Sequence, residues 1–189
     1  MDDALAAMIG AIIEGKGQGA YGLAGINQRA HALQAAWLAE QAGHGAALIT
    51  ACLLRDVGHL VHDLGHDLGH DPAAEGIDDR HEQLGHDWLT RWFGPEVTEP
   101  VRLHVAAKRY LCATETDYFM KLSRDSVRSL ALQGGPMSEA EVVKYRANPH
   151  AAAGTALRRF DEAAKVKDLA TPPVAHFLPH VAACQRRAA

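Results

Sequence analysis

Alanine and leucine fill most of the hydrophobic positions of this chain, and alternating runs rich in Val and Ile are absent. Both residues favour helices, whereas a half-buried strand needs strict alternation of apolar and polar positions. Gly, Pro, Asn and Asp mark the joints between the apolar segments. The pattern predicts an all-α fold without strands, with helices near residues 3–15, 26–43, 45–57, 79–93, 97–107, 115–122, 138–147, 149–165 and 173–182.

Size and charge narrow the function classes. A chain of 189 residues is most simply one domain, spanning residues 1–189 with its core at about 20–168. The net charge of -4 provides no basic field for nucleic acid, so we expect no nucleic-acid partner. No segment approaches about twenty uninterrupted apolar residues, which predicts that the chain does not span a membrane.

The charges near the first residue and the cysteine pattern indicate the same cellular compartment. The first residues carry acids where a signal peptide needs positive charge. Cys52, Cys112 and Cys184 are odd in number and widely spaced, which suggests neither a disulfide framework nor a zinc ribbon. We therefore expect a protein of the reducing cytoplasm, as a monomer or a homodimer.

Histidine is unusually frequent, with twelve copies against four phenylalanines and four tyrosines. Three His-Asp pairs follow one another from His62 to Asp71 in a repeat with a glycine at every fourth position. This repeat predicts a loop or a frayed helix end that reaches a helix only after Asp79. We expect the loop histidines to be solvated, with a separate adventitious metal site as the alternative.

Separate predicted helices each place one histidine or aspartate in an otherwise apolar setting. Taken singly, each is more often a satisfied core residue or a surface residue than a ligand. Together they match the way in which helix bundles build carboxylate-bridged metal centres from inward-facing residues. Their mixed nitrogen and oxygen donors suit iron or manganese. The candidates are His31, Asp56, His81, His104 and Asp161.

Longer phrases of the chain resemble one family. They are "Q..HALQAA", "LL.DVGH", "HE.LG..WL..WFG", "V..HV.AKRYL", "LS..S...L.LQGGPMS..E" and "LRRFDEAAKV". They are similar to the phosphonate-cleaving, di-iron oxygenase branch of the HD-domain superfamily, over roughly residues 20–168. The resemblance implies a helical bundle of the HD-domain type, two irons in a mixed-valence pair, and dioxygen as co-substrate.

The resemblance also implies a ligand set. One iron would be bound by His31, Asp56 and Asp161, and Asp56 would bridge to a second iron bound by His81 and His104. The family has a further histidine ligand directly before the bridging aspartate, and this chain has Arg55 there.

A guanidinium has no lone pair to donate and stays protonated, so Arg55 cannot replace that ligand. Three interpretations stay open: a variant form that lost the ligand, a natural enzyme whose first site is weakened or completed by His59 or His62, or a relative that binds without catalysis. If Arg55 turned to solvent, the second metal position could still fill alone.

Cations lie at helical spacing from the proposed ligands. Lys108 follows His104 by four residues and Arg158 precedes Asp161 by three, so each shares a helix face with a ligand. Solvated basic residues are the alternative, but a dianionic phosphonate beside a metal needs such charge-assisted donors. The resemblance implies that His59, Ser126 and Ser129 complete this substrate site, and that His59 and Lys108 act with Asp56 in catalysis.

The glycine pair in "LQGG" predicts a turn between helices rather than a phosphate loop.

The segment before the first ligand bears on the substrate. Tyr21 matches a tyrosine that, by the resemblance, closes over an open coordination position. The family's glutamate for a primary ammonium is replaced by Ala24, which leaves room for a quaternary ammonium held by aromatic faces. Tyr21, Trp37 and Tyr110 are candidates, with core packing as the alternative for Trp37.

The resemblance thus implies an iron-dependent dioxygenase that cleaves a small 1-hydroxyalkylphosphonate, amino-substituted or trimethylammonio-substituted, to phosphate and a carboxylate. Two alternatives stay open. One is a metal-dependent phosphohydrolase, which would work without oxygen on manganese or magnesium. The other is a non-catalytic anion-binding relative in which Arg55 replaces a metal by its own charge and bridges Asp56 and Asp161.

Overall fold

The computed structural model describes residues 2–21, 25–61 and 80–186. Ten α-helices account for most of them, which confirms the all-α fold. The helices are α1 (Asp2–Lys16), α2 (Gln28–Gln41), α3 (Ala46–Leu54), α4 (Val57–Val61), α5 (His81–Leu89), α6 (Pro95–Thr114), α7 (Arg124–Leu132), α8 (Glu139–Arg146), α9 (Ala151–Ala163) and α10 (Val174–Cys184).

The prediction that the chain has no strands is wrong at one point. Two short strands, β1 (Ala20–Tyr21) and β2 (Ile26–Asn27), pair in an antiparallel ladder just before α2. Each strand has only two residues, which is too short for an alternating pattern to be visible in the sequence. Asn27 then caps α2, its side chain accepting a hydrogen bond from the backbone N–H of Ala30.

Two helix predictions need correction, and one helix was missed. The predicted helix at 45–57 is interrupted after Leu54, and the chain resumes as α4 at Val57. The predicted helix at 115–122 is only a short 3-10 turn, Phe119–Lys121. Helix α7 was not predicted; it is short, and one of its two buried residues, Ser126, is polar.

The other boundaries differ by a few residues, except at α6. This helix starts at Pro95, whose missing N–H costs nothing at a first helical position, and it runs on to Thr114. The turn predicted from "LQGG" is confirmed, since Gly134 and Gly135 both take positive φ angles between α7 and α8. Residues 62–79, where the loop was predicted, lie outside the described residues.

The main hydrophobic core lies among α1, α2, α3, α6, α9 and α10. Its fully buried members include Ile9, Ile49, Leu54, Leu157 and Phe177. Helices α2, α3, α6 and α9 enclose the polar cluster described below. Within the described part of the chain, no helix is long and apolar enough to cross a membrane.

Candidate metal centre

The structure brings the five predicted metal ligands together. His31 lies on α2, Asp56 between α3 and α4, His81 at the start of α5, His104 on α6 and Asp161 on α9. Four of them are buried and His81 is half-buried. They form two groups that share Asp56, and in each group the three possible ligand atoms lie within 4.8 Å of one another.

The first group to consider is Asp56, His81 and His104. The two Nε2 atoms of His81 and His104 are 3.1 Å apart, and Asp56 Oδ1 lies 3.7 Å from His81 and 3.9 Å from His104. Three ligands that are each about 2.0–2.2 Å from one ion have separations of this size. We call these three residues the Asp56 triad.

The protonation of His104 suits metal binding. Its Nδ1 lies 2.7 Å from the carbonyl oxygen of Val101, which can only accept, so Nδ1 carries the proton and Nε2 keeps a lone pair. Burial, reinforced by His81, lowers the pKa of His104 to about 3. A histidine oriented in this way by a backbone carbonyl is the usual arrangement for a ligand.

Close contact between α4 and α5 fixes the position of His81. A Cβ atom at Gly58 would overlap the carbonyl oxygen of His81, and one at Gly85 would lie 3.3 Å from the backbone nitrogen of Gly58. This approach stacks the His59 ring on the His81 ring, with centroids 4.1 Å apart. The "VGH" and "HE.LG" phrases therefore provide the small residues that the helix contact needs.

The second group consists of His31, Asp56 and Asp161. His31 Nδ1 lies 2.6 Å from the carbonyl oxygen of Ala164. Its Nε2 lies 3.0 Å from Asp161 Oδ1 and 3.7 Å from Asp56 Oδ2. Burial lowers the pKa of His31, and the neighbouring Arg55 lowers it further. The donors of a metal position are thus present here too.

Arg55 lies within this second group. Its side chain has no solvent exposure. Its Nε donates to Asp161 Oδ1 at 2.9 Å, its Nη2 lies 3.2 Å from Asp56 Oδ2, and its Nη1 donates to the carbonyl oxygen of Cys52 at 2.9 Å. The guanidinium therefore bridges the two carboxylates and does not turn to solvent.

Electrostatics distinguish the two groups. Burial raises the pKa of Asp56, but the Arg55 guanidinium, His31 and His81 together outweigh burial and hold this pKa below its usual range. Burial also raises the pKa of Asp161, but Arg158, Arg55 and further neighbours lower it more, so this pKa too lies below its usual range. At an effective dielectric constant of about 20, a divalent ion about 4 Å from a guanidinium is repelled by several kcal/mol. The Asp56 triad fits a metal ion, whereas the second group does not fit one while Arg55 is there.

The predicted substrate residues lie beside Asp161. Lys108 donates to Ser129 Oγ at 2.6 Å. Arg158 is buried and contacts both Asp161 and Glu162, and it donates to Ser126 Oγ at 3.0 Å. Burial and the neighbouring Arg158 lower the pKa of Lys108 to about 7. A cluster of buried donors for an anion thus adjoins the carboxylates.

Three further members of this cluster were not predicted. Lys165 Nζ lies 2.9 Å from both Glu162 Oε2 and Ser126 Oγ. Tyr118 accepts a hydrogen bond from Arg158 Nε at 3.0 Å. Lys165 follows Asp161 by four residues, the same spacing that identified Lys108, so the sequence contained a signal for it. Glu162 and Tyr118 carried no such signal.

The remaining predicted residues lie in the packed interior or outside the described residues. The backbone of Tyr21 pairs with Ile26, but its side chain, Ala24 and His62 lie outside what the structure describes. Trp37 packs against the main core. Tyr110 stacks on Tyr145 with ring centroids 4.7 Å apart, so packing accounts for both aromatic residues.

Two characterised relatives cover most of the chain. The [1-hydroxy-2-(trimethylamino)ethyl]phosphonate dioxygenase (glycine-betaine-forming) of Leisingera caerulea is 41% identical over 92% of this chain and 86% of its own length. The hydroxymethylphosphonate dioxygenase of Gimesia maris is 43% identical over 84% of this chain and 78% of its own length. No protein-family model matches the chain.

Proposed function

Because the chain belongs to the family of phosphonate dioxygenases, we propose that it cleaves the carbon–phosphorus bond of a 1-hydroxyalkylphosphonate with dioxygen, at iron bound by the Asp56 triad. The observation that carries the proposal is the triad itself, with its converging Nε2 atoms 3.1 Å apart, next to a buried cluster of cations. The family gives the reaction class, and the residues give the donors that this reaction needs.

Two histidines and one carboxylate are the donor set of non-haem iron oxygenases, and this set leaves coordination positions open. Bound iron would supply the redox chemistry with dioxygen. The chain's own residues hold the donors in place. Val101 orients His104, and the stacked ring of His59 restrains His81. We assign His59 to positioning and to substrate contact, as the family resemblance implies.

The phosphonate would be bound by the cations beside Asp161. Lys108, Arg158 and Lys165 surround Ser126 and Ser129, and Lys108 and Arg158 are buried. A dianion in such a place gains charge-assisted hydrogen bonds that water would otherwise weaken. Glu162 pairs with Arg158 and Lys165 and thereby holds both cations in the absence of substrate.

The reaction balances without an external reductant. A 1-hydroxyalkylphosphonate and one dioxygen give one carboxylic acid and one phosphate. The carbon–phosphorus and carbon–hydrogen bonds at C1 break, one oxygen atom enters the carboxyl group and the other enters phosphate. Dioxygen accepts the four electrons that C1 loses. Protein groups are needed only for positioning and charge compensation.

The substituent on the substrate carbon C1 is the feature that the family membership does not determine. The relatives are named for hydroxymethylphosphonate, which has no further carbon on C1, and for a substrate with a trimethylaminomethyl group there, so the substituent on C1 varies within the family. We propose that Tyr21 contacts this group and that the residue type at position 24 affects which group is accepted, as the family resemblance implies. Replacing a carboxylate by Ala24 favours substrates without a primary ammonium.

The test is a coupled assay on protein supplied with ferrous iron. Dioxygen uptake and phosphate release are measured with hydroxymethylphosphonate, with 1-hydroxy-2-(trimethylammonio)ethylphosphonate and with its primary amine. We expect one phosphate per dioxygen on at least one of them and none under anaerobic conditions. Phosphate release from a phosphate ester with manganese or magnesium, without oxygen, would instead identify a phosphohydrolase.

A matched pair of histidine variants locates the activity. We expect His104→Ala to abolish turnover, because it removes one ligand of the Asp56 triad. The control is His176→Ala, which removes an exposed histidine of α10 that pairs with Glu40 of α2, and we expect it to leave the rate unchanged. Equal activity of both variants would refute the assignment of the site.

A further inference from the structure

Arg55 stands where the resemblance implies a histidine ligand, and its position in the fold has a consequence for metal content. We infer that its guanidinium takes the place of one of the two metal ions, so that this chain binds a single ion through Asp56, His81 and His104. The inference rests on the proposed function for the choice of iron. Its test counts ions and needs no turnover.

The guanidinium uses the same atoms that a metal would need. A metal in the second group would take Asp161 Oδ1, Asp56 Oδ2 and His31 Nε2. Arg55 contacts the first two of these, at 2.9 Å and 3.2 Å. The remaining oxygen of Asp161 is engaged by Arg158. Both oxygens of this carboxylate are therefore already neutralised by cations.

Arg55 is also held where it is. Its side chain is completely buried, and its Nη1 hydrogen bond to Cys52 ties it to the last turn of α3. Arg55 itself continues the right-handed helical backbone conformation, and Leu53 and Leu54 before it are core residues. Turning the guanidinium away from the two carboxylates would break its Cys52 hydrogen bond and press the side chain against core residues, so we expect it to stay in place when metal is offered.

The metal position formed by the Asp56 triad keeps all three of its ligand atoms. The contacts of Arg55 reach Asp56 through Oδ2, whereas His81 and His104 face Oδ1. The Asp56 triad is thus complete without the histidine that Arg55 replaces. It has the two-histidine, one-carboxylate composition of sites that hold one non-haem iron. Replacing an ion by a guanidinium keeps positive charge beside the carboxylates and removes the second redox centre.

Metal content per chain tests the inference directly. Protein is loaded anaerobically with ferrous iron, freed of excess, and analysed by mass spectrometry for iron against protein concentration. We expect one iron per chain in the starting protein and two in Arg55→His. Electron paramagnetic resonance after partial oxidation should show the signal of a coupled iron pair in Arg55→His only. Two irons, or none, in the starting protein would overturn the inference.

Ligand variants make the test independent of Arg55→His. In a chain with one ion at the Asp56 triad, His81→Gln lowers the iron content from one to zero, whereas His31→Gln leaves it at one. In a chain with two ions, either variant would lose an ion. Circular dichroism checks that both variants are folded, and manganous ion, counted by its resonance signal, serves as a second probe with the same expectation.

The outcomes separate this inference from the proposed function. One iron per chain without cleavage of any of the three phosphonates would leave the inference standing and reject the function. Two irons with cleavage would keep the function and reject the inference.

Discussion

At the scale of single residues, the account depends on a buried group of opposite charges. Arg55 and Arg158 compensate Asp161, and Arg55 also lies against Asp56, all within the buried interior. Removing one partner of such a group leaves the others desolvated and unpaired, which costs more than the pair itself contributes. Arg55 therefore has a structural role whether or not a metal is bound.

Truncating Arg55 should expose that role. We expect Arg55→Met to lower the free energy of unfolding by about 3–5 kcal/mol in the presence of a chelator, because two carboxylates lose their shared cation. Urea denaturation followed by circular dichroism measures it. Arg159→Met is the control, since Arg159 is half-exposed and its pair with Glu115 contributes less than about 1 kcal/mol. Equal losses in the two variants would contradict the bridging role.

Lys108 should make phosphonate binding weaker as the pH rises. Its pKa of about 7 means that it is charged below that pH and increasingly neutral above it. A hydrogen bond to a charged group is worth about 1.5–3 kcal/mol, so phosphonate affinity should fall about tenfold or more as pH rises through this value. Binding measured by calorimetry from acid to alkaline pH checks it.

The matched variant for this prediction is Lys108→Arg, because a guanidinium stays charged throughout. Ionisation of the phosphonate itself affects both proteins alike, so the difference between them reports on Lys108. An identical loss of affinity with pH in both proteins would show that Lys108 does not meet the phosphonate.

At the scale of elements, the contact of α4 with α5 determines whether His81 reaches the triad. Gly58 and Gly85 face each other across this contact, and neither has room for a larger side chain without movement. Since α4 also follows directly from Asp56, the contact sets the distance between two ligands. The packing of two short helices thereby controls the metal position.

Gly58→Ala should disturb that position. Its Cβ would overlap the backbone carbonyl of His81, so α5 has to shift and we expect the iron content of the loaded protein to fall by at least half. Gly15→Ala is the control. Gly15 lies in α1 with nothing within 4 Å of an added Cβ, and alanine there should raise helix stability by roughly 0.5–1 kcal/mol without changing metal content. Full iron loading of Gly58→Ala would contradict this role of the contact.

Most helices could be predicted, because Ala and Leu cluster in α2, α3, α9 and α10. Helix α7 could not be found in this way, since its inward positions include Ser126 and its role is polar. The start of α7 is visible in the sequence as Ser123, because serine is a favoured N-cap residue. In the structure its side chain accepts a hydrogen bond from the backbone N–H of Ser126. The strands β1 and β2 follow from tertiary context around α2 and have no local pattern.

At the scale of the molecule, five segments far apart in the chain meet at one polar cluster. The residue types and the resemblance pointed to five candidate ligands, and the structure places all five in two groups that share Asp56. The sequence left open whether Arg55 turns to solvent or bridges Asp56 and Asp161, because it gives the charge of Arg55 but not the direction of its side chain at the end of α3; the structure shows the bridge. Glu162 was missed because its partner Ser126 lies on α7, a helix that the pattern did not predict.

The positions that hold metal in this protein can be located directly. Crystals of the iron-loaded protein, with data collected on both sides of the iron absorption edge, would locate each ion by its anomalous signal. We predict one peak among Asp56, His81 and His104, with Arg55 still between Asp56 and Asp161. A second peak at His31 and Asp161, with the guanidinium displaced, would contradict the account.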